Sequence, residues 1–158
     1  MDQWPEGGKA LLRELGTGRG RVALVAGPTS EPDALAARLA ADLGLRQLSV
    51  GLAVADLDTP PTESELAAAV AAADVLSDLD LLFWPEMRVA PLPFLAARAR
   101  RRITIAVWPG EIVDGRARYS APGRPDHHDE RLSDAVVLRP RPTRYPDEVP
   151  FVIEEIAP

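Results

Sequence analysis

Eight residues, Gly27-Pro28-Thr29-Ser30-Glu31-Pro32-Asp33-Ala34, follow a short apolar run and precede a stretch with helical spacing. From that position a loop of the form G-x-x-x-x-G-K-[ST] grips a nucleotide. Backbone amides wrap the phosphates, a lysine reaches the terminal ones and a hydroxyl holds magnesium. Gly27 matches the first glycine, but Pro32 takes the second glycine's place, Asp33 the lysine's and Ala34 the hydroxyl's. A proline has no amide hydrogen, and a carboxylate repels a triphosphate. The loop is therefore expected to be disarmed, with Gly27, Pro28, Thr29, Ser30, Glu31 and Asp33 as its degenerate nucleotide-binding positions. In the plainer reading Thr29 or Ser30 caps the next helix and Asp33 offsets its dipole.

Asp78 and Asp80 end an apolar segment, where nucleotide hydrolases keep the carboxylates that orient magnesium and water. They are the catalytic candidates, against the alternative that they are ordinary turn residues. Glu86 and Glu111 are further acids that spacing alone does not place. Arg98, Arg100, Arg101 and Arg102 form the densest local charge. They could contact phosphates or a partner, or simply offset the negative end of a helix in solvent. Arg141 and Arg144 are second candidates for the same work. Trp84 and Trp108 fall at strand ends, where burial at the core edge competes with a partner-contact role. Trp108 is carried as a contact candidate.

Other chemistry is excluded more firmly. His127 and His128 are adjacent, so their side chains diverge, and no metal site is expected. There is no G-x-S-x-G around any serine. The series Gly16, Gly18, Gly20 precedes a strand, whereas a dinucleotide fingerprint follows one, and Gly8-Lys9 has no strand before it.

These residues must be held by regular elements. Leucines at 11, 12 and 15 predict a lead-in helix over residues 8–15. The run 21–26 is apolar and bounded by glycines, as expected of a central strand covered on both faces. Residues 33–43 read as an amphipathic helix stopped by Gly44. A strand over 47–50, a proline-bearing loop over 56–62 and a helix over 63–73 follow, then a strand entering a turn within 75–83. A helix with a basic last turn is predicted over 91–102 and a strand over 103–107. The Asp114-Gly115 dipeptide signals a hairpin across 112–119. A polar loop over 120–132, a core strand over 135–138 and a last strand over 151–156 complete the chain. Strands alternating with helices predict parallel pairing, hence an α/β, three-layer sheet flanked by helices with an appended β-hairpin.

The chain has 158 residues, enough for one domain, and no cysteine, which removes disulfides, thiolate metal sites and thiol nucleophiles. Its formal net charge of −6 disfavours a general nucleic-acid surface. No apolar run approaches the ~20 residues of a membrane span, and the start lacks the pattern of a secretory leader, so the cytoplasm is expected.

From Asp78-Leu79-Asp80-Leu81-Leu82-Phe83-Trp84-Pro85, through the arginine-ended helix, to Ile103–Val107 and Trp108-Pro109-Gly110, then the hairpin with Tyr119 and Pro122-Gly123-Arg124-Pro125-Asp126-His127, the order of motifs resembles a known family. It is similar to the small P-loop protein of type 3 bacteriophage-exclusion (BREX) systems, the BrxF family. The resemblance covers about residues 20–140, leaving 141–158 as an extension, and it is most specific over 78–128. It implies a P-loop NTPase-like domain that works beside a large ATPase, a methyltransferase and a phosphatase-like component. Gly27 matches the family's phosphate loop, and Asp78 or Asp80 stands at its acidic strand end. Pro32, Asp33 and Ala34 depart from the pattern. The expectation is a non-hydrolysing adaptor that binds other defence proteins, with no cofactor. The alternatives are an ATPase or nucleotide switch using ATP with magnesium, and a nucleic-acid contact module. Oligomers and nucleic acid reached through partners fit the same expectation.

Overall fold

The computed structural model describes residues 3–16 and 21–158, so Gly18 and Gly20 lie outside the described residues. Helix α1 (Glu6–Leu15) leads to strand β1 (Ala23–Val25), helix α2 (Glu31–Leu43), strand β2 (Gln47–Ser49) and a single turn, α3 (Val50–Ala53). Helix α4 (Glu63–Ala69), strand β3 (Val75–Ser77), helix α5 (Pro91–Ala99) and strand β4 (Ile105–Val107) follow. Two 3₁₀ turns, Asp80–Phe83 and Pro85–Met87, link β3 to α5. The chain then forms β5 (Glu111–Val113), β6 (Arg116–Tyr119) and β7 (His128–Arg131), and finishes with β8 (Ala135–Pro140) and β9 (Phe151–Ile156).

The fold is α/β. Six strands pair in the order β2-β3-β4-β1-β8-β9, all parallel except β9, which lies antiparallel to β8. β1 is therefore central, with Leu24 between Ala106 and Val137. Its three residues are all buried, as a strand with helices on both faces requires. Alternation along the strands divides the core in two. Ala23, Val25, Ile105 and Leu138 meet Leu11 and Leu15 of α1 and Leu35 and Leu39 of α2. Leu24, Leu76, Ala106 and Val137 face Leu66 of α4, Phe94 and Leu95 of α5, and the 3₁₀ residues Leu82 and Phe83. Each fully buried leucine contributes roughly 1.5–3 kcal/mol.

Local signals explain most element ends. Gly44 closes α2 at φ 66°, and Thr62 and Glu65 make a reciprocal capping box at the start of α4. The Glu65 carboxyl is held below its ordinary pKa by the Thr62 amide and then its hydroxyl. The Asp114-Gly115 turn has both residues at positive φ, 52° and 73°, as the tight hairpin requires.

Three stretches depart from expectation. Residues 70–73 leave the helix predicted over 63–73, and the carbonyls of Val70 and Ala73 accept from Arg98 instead. The helix predicted over 91–102 stops at Ala99. The polar loop predicted over 120–132 contains β7, so the hairpin is a three-stranded antiparallel ribbon. β7 reads His-Asp-Glu-Arg. Its two half-buried residues are polar, so no apolar alternation marked it.

Candidate functional site

In an open sheet of parallel strands, a crevice forms beyond the carboxyl ends where the chain reverses its direction of travel across the sheet. Here the chain leaves β1 for the β2 edge and later returns on the other side as β8. Beyond β1, β3 and β4 lies a cleft of about 920 Å³, walled on its far side by the ribbon. Gly27 and Thr29 enter it from the β1–α2 turn, Asp33 from the first turn of α2, Asp78 and Asp80 from the segment after β3, Trp108 from the end of β4 and Glu111 from the start of β5. The structure thus gathers these candidates into one site. Pro28, Ser30 and Glu31 lie in the same turn but do not line the cleft.

The turn is built against itself. Glu31 donates its amide to the Pro28 carbonyl at 3.3 Å, and Ala34 donates to Ser30 at 3.1 Å. Pro28 and Pro32 have no amide hydrogen. Four of the eight positions therefore have no amide to offer a ligand. Neither Thr29 nor Ser30 caps α2, contrary to the plainer sequence reading: Ser30 occupies the N-cap without a side-chain bond, and Thr29 stands at φ 52°. A β-branched residue there is strained by roughly 1–2 kcal/mol. Asp78, at φ 56°, and Ser120, at φ 63°, add two more left-handed residues to the same cleft. A Cβ on Gly27 would meet Pro140 Cδ at 3.2 Å, which explains a small residue there without any ligand.

The two aspartates are held differently. Asp78 Oδ2 accepts from Ser49 Oγ at 2.9 Å, and a Cβ on Gly51 would come within 2.2 Å of that oxygen. Gly51 thereby leaves room for the carboxylate. Asp80 Oδ1 accepts the Tyr119 hydroxyl at 2.9 Å. Tyr119 stacks on Phe83 with ring centroids 3.9 Å apart, and Trp108 and His128 pack edge-on against the same ring. Sequence reasoning missed Ser49, Gly51 and Phe83. Their only signal was proximity to strand ends.

Burial, then the Asp80 hydrogen bond and charge, push the Tyr119 phenol up to about 12 from its ordinary 10. Folding therefore favours the neutral ring. That contribution is complete below pH 10 and disappears as pH climbs through about 12. In Asp80→Asn the phenol should ionise at lower pH than in the parent while staying above 10 through burial, as followed by tyrosinate absorbance. An unchanged midpoint would show that Asp80 does not govern Tyr119.

The charge of the cleft is one-sided. Asp33, Asp78, Asp80, Glu111 and Asp129 line it against Arg118 and His127. Asp129 is already paired with Arg116 at 2.8 Å and Arg118 at 3.6 Å, and its carboxyl is held low chiefly by the Arg116 bond. Among the described residues no lysine faces the cleft. Among the described residues no cluster of three or more metal-ligating side chains could hold a metal ion. A triphosphate does not fit this donor set, since nothing at the turn offers positive charge to its terminal phosphates.

The remaining candidates lie elsewhere. Trp108 is buried at 3% exposure and donates Nε1 to the Arg118 carbonyl at 3.0 Å, so it anchors the ribbon and offers little surface to a partner. Trp84, expected at the core edge, is 55% exposed. Arg98–Arg102 precede β4 and sit at the opposite end of the sheet from the cleft. Arg98 is no solvated helix end: it donates to Thr104 Oγ1 at 3.1 Å, to Val70 at 2.7 Å and to the Ala73 carbonyl. Arg102 binds Asp74 at 2.6 Å and the Ala71 carbonyl. Arg141 is exposed and donates Nε to the Val149 carbonyl at 2.9 Å. Among the described residues no helix is long and apolar enough to cross a membrane. No protein-family model, curated protein or solved structure matches the chain.

Proposed function

We propose that this domain is a non-hydrolysing, P-loop-like adaptor of a type 3 bacteriophage-exclusion assembly, and that its cleft docks a cationic segment of another defence protein. The observation that carries the reading is the cleft's charge: five carboxylates, with Asp33 and Pro32 standing where a nucleotide needs an ammonium and an amide. The central place of β1, with its turn opening at the point where the chain reverses across the sheet, supports the P-loop-like part. The one-sided field supports docking, because opposite charge steers and orients a partner.

Two measurements test it. Calorimetric titration of the wild type with ATP and magnesium should show no saturable heat, whereas Pro32→Gly/Asp33→Lys/Ala34→Ser should gain binding. Co-expression with the assembly's large ATPase and methyltransferase should yield a complex that Asp80→Arg/Glu111→Arg dissolves. The competing reading is a nucleotide switch built on Asp78 and Asp80, both of which face the cleft. Saturable ATP binding by the wild type, lost in Asp78→Ala/Asp80→Ala, would replace the adaptor with that switch.

A further inference from the structure

At the other end of the sheet, a groove of about 450 Å³ runs between α4 and α5. Its floor is made by Ala67, Ala71, Ala97 and Phe94, and its rim by Arg98 in the last turn of α5 and the three arginines that follow the helix. The floor carries no polar side-chain atom, and the alanines are exposed, so no long side chain blocks close approach. The rim divides into two kinds of cation. Arg98 and Arg102 are spent on the carbonyls that follow α4 and on Asp74, although the Nε of each is buried without a hydrogen-bond partner. Arg100 and Arg101 are exposed, and among the described residues the side chain of neither has an ion-pair or hydrogen-bond partner. Glu63 lines the groove from the other end of α4.

We propose that this groove docks an acidic amphipathic helix of a partner protein, with its apolar face on the alanine floor and its carboxylates against Arg100 and Arg101. A gap between two helices with a smooth apolar floor matches the helix-in-groove mode of recognition. Guanidinium groups take carboxylates bidentately, and Glu63 repels them, so charge complementarity also sets the direction of the docked segment. A nucleic acid fits less well. Two free cations on one turn fall short of the roughly 6–10 phosphate contacts of a typical DNA binder, and the apolar floor offers nothing to a phosphate. This inference uses no residue of the acidic cleft and stands whether or not the adaptor reading does.

Selection of a helical peptide display library on the intact protein tests it. Enriched peptides should carry Glu or Asp with Leu at three- and four-residue spacing. They should bind Arg100→Glu/Arg101→Glu roughly tenfold or more weakly, and Asp80→Asn as well as the parent. Both arginines are exposed, so the variant should stay folded, its melting temperature lowered only by the few degrees that the lost helix-end charge accounts for. Ala67→Trp, which fills the floor without touching a cation, should give the same loss. Enriched peptides without acidic residues, or equal binding by both variants, would overturn the proposal. So would a short DNA duplex whose salt-dependent binding is lost in the arginine variant, which would assign the groove to nucleic acid.

Discussion

Replacing Arg98 with methionine is expected to lower stability by about 3 kcal/mol, and the melting temperature by roughly 6–12 °C for a domain of this size. Methionine keeps most of the side chain's apolar stem, so the loss isolates the guanidinium. That group donates to Thr104 Oγ1, the Val70 carbonyl and the Ala73 carbonyl, and thereby ties the turn after α4 to the entry of β4. The Val70 carbonyl keeps the Ala73 amide at 3.1 Å, but the Ala73 carbonyl and Thr104 Oγ1 lose their donor. A buried acceptor so stranded costs about 1–3 kcal/mol, against only about 1 kcal/mol net for an ordinary hydrogen bond. Burial, then the neighbouring charge of Arg102, lower the Arg98 pKa to about 10, so the group remains charged at neutral pH. Arg98→Lys should recover part of the loss, because one ammonium cannot span the same three acceptors. Chemical denaturation would decide the matter. A shift below about 0.5 kcal/mol would mean that water replaces the guanidinium at those carbonyls.

Gly110→Ala is expected to detach the ribbon from the sheet. A Cβ at this position would lie 1.9 Å from the Arg118 carbonyl oxygen, 2.9 Å from its carbon and 3.1 Å from Tyr119 Cα. All three are backbone atoms, so no side-chain rotation relieves the clash. The ribbon can only move outward, loosening the Trp108–Arg118 hydrogen bond, the Tyr119–Phe83 stack and the Tyr119–Asp80 bond. Overpacking of this kind costs about 1–3 kcal/mol, with the high end expected where backbone meets backbone. The spectroscopic sign would be a Tyr119 phenol titrating closer to 10 as burial and the Asp80 bond are lost together. Gly115→Ala provides the contrast. Its Cβ meets nothing within 4 Å, so only the left-handed backbone at φ 73° opposes it, at roughly 1–2 kcal/mol, and the Tyr119 titration should not move. Equal effects from the two substitutions would show that the ribbon does not press on Gly110.

The acidic cleft shows how far residue spacing reaches and where it stops. Gly27, Asp33, Asp78 and Asp80 could be singled out because strand ends and the turns after them are marked by apolar runs and by proline and glycine. Their convergence with Glu111 and Asp129 could not, because β5 and β7 reach the cleft only through the ribbon's placement against Trp108 and Phe83. Thr29 carried no mark of its left-handed backbone, since its composition favours a cap and the strain is imposed by the turn between β1 and α2. Trp84 and Trp108 lie at similar sites along the chain, yet one is open to solvent and the other covered by the ribbon.

Apolar runs at 21–26, 103–107 and 135–138, separated by helical spacings, were enough to require a parallel sheet sheathed by helices, because a strand buried on both faces can tolerate few polar residues. The Asp114-Gly115 pair likewise required a tight turn, since its backbone angles suit few other dipeptides. Tertiary structure alone decided what the polar groups do. Arg98 finds carbonyls 25 and 28 residues away, and Asp80 finds a hydroxyl 39 residues away. Periodicity records the average environment of an element, whereas the partner of a charge is chosen by whichever distant segment folding brings within hydrogen-bond reach.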